Sequence, residues 1–430
     1  MTRIQIHRIY LLIGLVSLAD PAYSQPDIMF QKKPVSYQDY IALTGKNNIG
    51  YAAEKFNVNI SEAGIESAKI FPDPELSAGW FDNGQRRMNM GYGYNVGIGW
   101  TLELGGKRKA RINLAKSEAE LTRQLLQDYF RNLRADATIK YLEAILKEQL
   151  VNVLLSSYHA MSQLAKSDSI RARSGAISKV DARQSKLEAG TMLNDVYEAV
   201  AGWKTSLANL TLLMGARQND TLAATVGSFT TFDRDFDLAA LMFNAQHTRA
   251  DLMAALQHKD VSLKMLQLEK ANRVMDLGLT GGMTYSSYVR NVIAPTPSTT
   301  QTGIGVSIPL KFSNNRSGEL RAAYYTALQS EAQYKQTALQ VQTEVMQAYF
   351  NYQATQQQVA QFKTGLLHEA KIILDGKVYS YKRGETTLLE VLNAQRTYNE
   401  VQQNYYQTLF NDAAALVALE RAAGIWDINF

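Results

Sequence analysis

Two places in the chain set a hydroxyl residue three positions ahead of a carboxylate where a helical pattern begins: Ser178 with Asp181, and Thr387 with Glu390. That spacing is a capping box, in which the acid accepts from an orphan backbone N–H and faces the positive helix end. Each pair lies just beyond a glycine, Gly175 or Gly384, which permits the positive φ of a tight turn. Other chemistry is scarce. The chain has no cysteine, so disulfides, thiolate metal sites and a Cys nucleophile are excluded together. The five histidines, His7, His159, His247, His258 and His368, stand far apart without ligand spacing, and no resident metal is expected. Gly91, Gly93, Gly97 and Gly99 do not make the G-x-G-x-x-G of a nucleotide loop. No Ser-His-Asp or paired-carboxylate constellation stands out, so the sequence points away from an enzyme and from any cofactor.

The turns are held by long helices. The 430 residues contain only 8 prolines, with none between Pro74 and Pro295 and none after Pro309. An interior proline costs a helix about 3 kcal/mol, so its avoidance over such stretches predicts mostly helix. Leu126, Tyr129, Leu133 and Ala137, then Leu142, Leu146, Leu150 and Val153, advance in steps of three and four. That is a stripe for packing on neighbouring helices. The pattern predicts very long helices over about 107–172 and 316–382. Shorter returning helices follow over about 178–214 and 387–423. A helix of that length spans roughly 100 Å, too long a rod for one compact domain.

The chain is internally duplicated. Gly97-Ile98-Gly99-Trp100-Thr101-Leu102 recurs as Gly303-Ile304-Gly305-Val306-Ser307-Ile308. Gly175 matches Gly384, and Leu213-Met214-Gly215 matches Ala422-Ala423-Gly424, at nearly the same offset. The repeats run over about 36–215 and 238–425. Each begins with a helical run (Tyr37–Ile70, Leu238–Asp276), continues with a strand pair (75–104, 277–310) and ends with the two helices.

The strands carry the sharpest pattern. From Met88 to Leu104 every even position is apolar or aromatic, while the odd positions between them are small or polar. Ile304, Val306, Ile308 and Leu310 repeat this in the second half. Such strands have one apolar and one polar face, which suits a soluble sandwich or an outer-membrane barrel. Nine to eleven residues at a tilt are enough to cross a bilayer, which favours the barrel. The first 24 residues agree: Arg3 and Arg8 precede the apolar run Ile9–Ala19, and Ala22 and Ser24 form a small-residue cleavage site before Gln25. We therefore expect a signal peptide at 1–24, an exported domain at 25–430 and no transmembrane helix. The net charge of +5 with 20% charged residues speaks against a nucleic-acid partner. Four strands cannot close a barrel, and open edges in lipid are prohibitive, so the strands must be shared between copies. A homotrimer would supply twelve. The expected fold is mainly α with a β-barrel part: long helices forming a periplasmic α-barrel, below a trimeric 12-stranded outer-membrane β-barrel that touches lipid.

At this point the sequence resembles the TolC-type outer-membrane factors over nearly all of the chain beyond residue 24. Phe71-Pro72-Asp73-Pro74-Glu75-Leu76 resembles the entry to the first strand in the metal-cation branch. Leu102-Glu103-Leu104-Gly105-Gly106-Lys107-Arg108-Lys109-Ala110-Arg111 resembles the strand-to-helix passage of CzcC-like cobalt–zinc–cadmium members. The second copy, Phe312-Ser313-Asn314-Asn315-Arg316, departs from that Gly-Gly-Lys pattern. The resemblance implies the outer-membrane channel of a tripartite efflux system, working with a periplasmic adaptor and an inner-membrane pump of the resistance–nodulation–division (RND) type. It also implies that the two helix–helix turns form the periplasmic tip. Glu390 would then be a gate-ring carboxylate, Asp181 and Tyr381 closing hydrogen-bond partners, and Gly175 and Gly384 adaptor contacts. Three acids near one axis would favour cations and repel one another as the ring tightens. Thr386 stands where the family prototype has a basic partner. Export of divalent heavy-metal cations is the expected cargo. Drug or protein export on the same fold and a soluble periplasmic coiled-coil scaffold are the alternatives.

Overall fold

The computed structural model describes residues 31–82, 90–217, 221–229, 234–312 and 314–428. The expected signal peptide and Met88, where the strand alternation begins, lie outside the described residues. The elements run β1 (Gln31–Val35), α1 (Tyr37–Asn47), α2 (Ile49–Lys69), β2 (Glu75–Asp82), β3 (Tyr92–Leu102), α3 (Lys107–Arg173) and α4 (Lys179–Leu213). After β4 (Thr221–Thr225) the order is α5 (Leu238–Thr248), α6 (Ala250–Asn272), β5 (Leu277–Ser286), β6 (Thr299–Ser307), α7 (Ser317–Gln361), α8 (Leu367–Arg383) and α9 (Leu388–Ala423).

The first helical run of each half is two helices rather than one. Asn48 (ψ 121°) and Arg249 (ψ 125°) leave helical geometry at equivalent places. Asn48 then accepts from Tyr51 N–H and starts α2 as its cap. The second long helix is also interrupted: α7 and α8 are parted by a π-type turn, Phe362–Leu366, in which Gly365 sits at φ 125°. Its counterpart α3 runs 67 residues without a break. No helix among the described residues is long and apolar enough to cross a membrane.

The strands form one antiparallel sheet in the order β2-β3-β5-β6. Its register stacks the apolar positions of both repeats in common rows. Leu76, Ile98 and Ile304 share one row, and Ala78, Val96 and Met283 the next. Trp80, Tyr94 and Tyr285 form a row toward the strand tips, while Trp100, Leu279 and Val306 lie toward the helices. The opposite face carries Glu75, Ser77, Asn95, Thr280, Thr284 and Gln301 among glycines. A period of two in each strand thus becomes two chemically distinct sheet faces.

Where the two repeats enter their long helices, different sequences take the same backbone shape. Gly105 and Gly106 lie at φ 71° and 73°, and Asn315 and Arg316 at φ 35° and 56°. Glycine adopts this left-handed geometry freely, whereas a residue with a Cβ is strained there. The glycine passage is tied down by Lys107, which is buried and bonds both Asp276 oxygens at 2.6 Å. Arg108 Nε donates to Lys69 O (2.7 Å) and Arg111 to Ala68 O and Ile70 O, capping the end of α2.

The hydrophobic core sits midway along the helices. Leu142, Ile145 and Leu146 of α3, Val196, Trp203 and Leu207 of α4, and Leu416 and Leu419 of α9 are buried together. β1 and β4 pair in parallel beside them, with Tyr141 Oη accepting from Val226 N–H at 2.9 Å. The C-terminal Trp426 and Ile428 form no strand. Trp426 instead lies under the Arg134 guanidinium (4.1 Å) and Ile428 is buried, while Phe430 falls outside the described residues. Next to them Arg234 bridges Asp427 and the wholly buried Glu420.

Candidate functional site

Both helix–helix turns close in the same way. At the first, Ala176 N–H reaches back to Arg171 O (2.9 Å) around Gly175 at φ 77°. At the second, Glu385 N–H reaches Ser380 O (2.9 Å) around Gly384 at φ 81°. These are Schellman-type ends, and nothing lies within 4 Å of where a Cβ would sit on either glycine. Backbone conformation, not crowding, requires glycine here, and both turns present open backbone to solvent. Neither capping box closes as the spacing suggested. Ser178 Oγ accepts from Val180 N–H (3.0 Å), while Thr387 makes no side-chain cap to α9.

The acids that follow have other partners. Glu390 is about half exposed and pairs with Lys377 of α8. Lys377 first, then the Thr386 hydroxyl, holds its carboxyl below the usual range. The missing basic neighbour at position 386 is therefore replaced by a lysine on the facing helix. That partner is 13 residues away in sequence, and only the hairpin brings it close.

Tyr381 is buried at the end of α8, against the first hairpin. Its ring lies 5.2 Å from the Arg171 guanidinium. The group facing its hydroxyl is Asp168 of α3, which the sequence reading did not single out; Asp181 acts on both only through its charge. Asp168 is wholly buried, 3.8 Å from Arg171, and neither its oxygens nor Tyr381 Oη has a well-aligned hydrogen bond. Burial pushes the Asp168 carboxyl up, against the pull of Ser185, Tyr381 and Arg171. Burial and the neighbouring Asp168 push Tyr381 up to about 12. A signal did exist: an acid in the last two turns of a helix opposes the helix dipole and needs a local reason.

Above the tip, polar groups also join the hairpins. Ser157 of α3 bonds Asn399 of α9, which also accepts from Gln395 (2.9 Å), all three buried. Arg396 of α9 grips Glu188 of α4 at 2.9 and 3.0 Å. Among the described residues no group of His, Cys, Asp and Glu could hold a metal ion. At its wide end the chain thus offers a sheet with one apolar and one polar face. At its narrow end it offers two glycine turns, an ion-paired acid and a buried Asp–Tyr contact.

Residues 241–425 match the family described as Outer membrane efflux protein. The chain is 23% identical over 392 residues to the cobalt-zinc-cadmium resistance protein CzcC of Cupriavidus metallidurans, covering 91% of this chain and 90% of that protein. It is 21% identical to the outer membrane efflux protein BepC of Brucella suis, over 88% of this chain and 83% of the relative. Its fold is similar to that of CusC, with a TM-score of 0.74 at 17% identity over 90% of this chain and 92% of that one. The CmeC outer membrane channel of Campylobacter jejuni gives the same TM-score at 15% identity, over 90% and 85%. With the duplicated helix–strand–helix order and the two-faced sheet, these likenesses make the chain similar to the TolC-type outer-membrane factors over nearly all of its described length.

Proposed function

We propose that three copies of the chain close one barrel in the outer membrane and continue it as a helical tube through the periplasm. This is the exit duct of a tripartite RND-type efflux system, docked to a periplasmic adaptor and exporting divalent heavy-metal cations. The observation that carries the reading is the sheet register. Its larger apolar side chains face one way, with Phe81 the exception, most polar and glycine positions face the other, and β2 and β6 are left as open edges. A hydrocarbon environment tolerates the apolar face but not unpaired edges, and a ring of copies removes them. The duct does no chemistry. A water-filled tube selects only by size and field, so the energy and most of the specificity lie with its inner-membrane partner. The cation cargo is supported by the relative named for cobalt, zinc and cadmium resistance and by Glu390 at the tip.

Purified protein in planar bilayers should give low-conductance pores, and Glu390→Gln should raise that conductance several-fold. A preparation with no pore activity would sink the channel. Intact pores in a strain whose cobalt, zinc and cadmium tolerance is unchanged by loss of the chain would leave the channel standing and remove the metal cargo.

A further inference from the structure

The junction between sheet and helices concentrates the chain's charge. The segments 69–76, 102–111, 269–277 and 308–316 hold nine Lys and Arg against five Asp and Glu, a surplus of four in a chain whose net charge is +5. Lys107, Arg111 and Arg316 are neutralised by Asp276, Glu103 and Glu269. Arg108 and Lys311 hydrogen-bond only backbone carbonyls, at the ends of α2 and α6, and neither has a carboxylate at ion-pair distance among the described residues, Lys311 acting on Asp276 only through its charge. Lys109, Lys270 and Arg273 are exposed and have no partner among the described residues.

Apolar side chains stand exposed among these cations. Phe71 lies under the Arg108 guanidinium (4.2 Å), and Leu104, Met275 and Leu310 continue the belt. Phe312, next to Lys311, is 88% exposed. Exposed apolar groups interleaved with unpaired cations, at the edge of a lipid-facing sheet, are what a bilayer's headgroup boundary accommodates. In a closed ring the β6 end of one copy would meet the β2 start of the next. Lys311 and Phe312 would then lie near Phe71 and Arg108 across each seam, making the belt continuous.

We propose that this belt binds anionic phospholipids of the periplasmic leaflet, with headgroup phosphates on Arg108, Lys109, Lys270, Arg273 and Lys311 and acyl chains against the apolar residues. The proposal rests on the barrel reading above, which sets the belt's depth. Each cation near an anionic surface adds to the attraction, which fades within a Debye length. The belt therefore fixes the channel's height in the membrane.

The test uses the full-length trimer in bilayers of mixed phosphatidylglycerol and phosphatidylcholine, with retained lipids counted by native mass spectrometry. The wild type should retain phosphatidylglycerol at least fivefold over phosphatidylcholine, with the preference eroded by added salt. The variant Arg108→Gln/Lys109→Gln/Arg273→Gln should lose most of it. The control Lys166→Gln/Lys179→Gln/Arg183→Gln, which removes the same charge from the helical end, should keep it. Equal retention of both lipids by the wild type, or an unchanged preference in the belt variant with conductance intact, would overturn the proposal. Absence of a trimer or of conductance in the wild type would instead take down the barrel reading, and the belt with it.

Discussion

The tips of the two repeats are built on the same two positions and use them in opposite ways. Asp168 and Asp181 of the first repeat stand 13 residues apart, as do Lys377 and Glu390 of the second, at an offset of 209. In the second hairpin the pair is a cation and an acid, joined to each other and open to solvent. In the first it is two acids, which repel. Asp168 is buried toward Tyr381 and Arg171 rather than joined across its own hairpin. One hairpin is zipped internally and the other spends its acid on the contact between hairpins. The long helices differ in the same sense, α3 being continuous while α7 and α8 meet at a π-type turn. Duplication preserved the topology and let the two copies diverge in mechanics. The second hairpin thus carries a π-type turn above it and is joined to the first through polar groups.

The barrel should be where the repeats behave alike. Ile98→Arg and Ile304→Arg sit in one row of the apolar face, and an arginine near the midplane costs about 2–4 kcal/mol per copy. Both should abolish heat-resistant trimer on a gel, whereas Asn95→Arg on the opposite face should leave it intact. Unequal effects of the two isoleucine variants would break the equivalence. Gly365→Ala, which disfavours the positive φ of the π-type turn, should draw the second helix toward the unbroken form of the first. Export measured as metal tolerance should fall about tenfold, with the trimer yield unchanged.

Removing the zipper is a smaller change. Lys377→Gln should raise single-channel conductance roughly two- to fivefold, since three unpaired Glu390 carboxylates repel around the axis. Glu390 is held below its ordinary value, so the pair is intact above that value and is lost as pH falls through the lowered one. Wild-type conductance should accordingly be flat from pH 7 to about 5 and rise below roughly pH 4. The smallest effect is expected at Asp168, whose carboxyl is raised by burial. A raised acid binds more protons when folded, so its ionisation opposes folding increasingly as pH climbs above the unfolded value. Asp168→Asn should therefore stabilise the protein by about 1 kcal/mol at pH 7 in thermal melts and lose that advantage near pH 4.

Much of the architecture was legible because it rests on local rules. Proline avoidance and three–four spacing gave α3, α4 and α9 to within a residue or two. The alternation of β3 foretold a two-faced sheet. The breaks at Asn48, Arg249 and Gly365 were missed, since none of them interrupts the apolar periodicity. The departure of Asn315-Arg316 from the Gly-Gly passage proved superficial, because both fold through consecutive left-handed residues.

The sequence by itself determined the helices, the strands, the duplication and the positions of the tip glycines, because each depends on neighbours a few residues away. The three-dimensional structure alone decided which acid faces Tyr381, which lysine neutralises Glu390 and which cations at the sheet's edge are left without an acid. Those are pairings between helices separated by tens to hundreds of residues, and electrostatic energy depends on distance in space rather than along the chain.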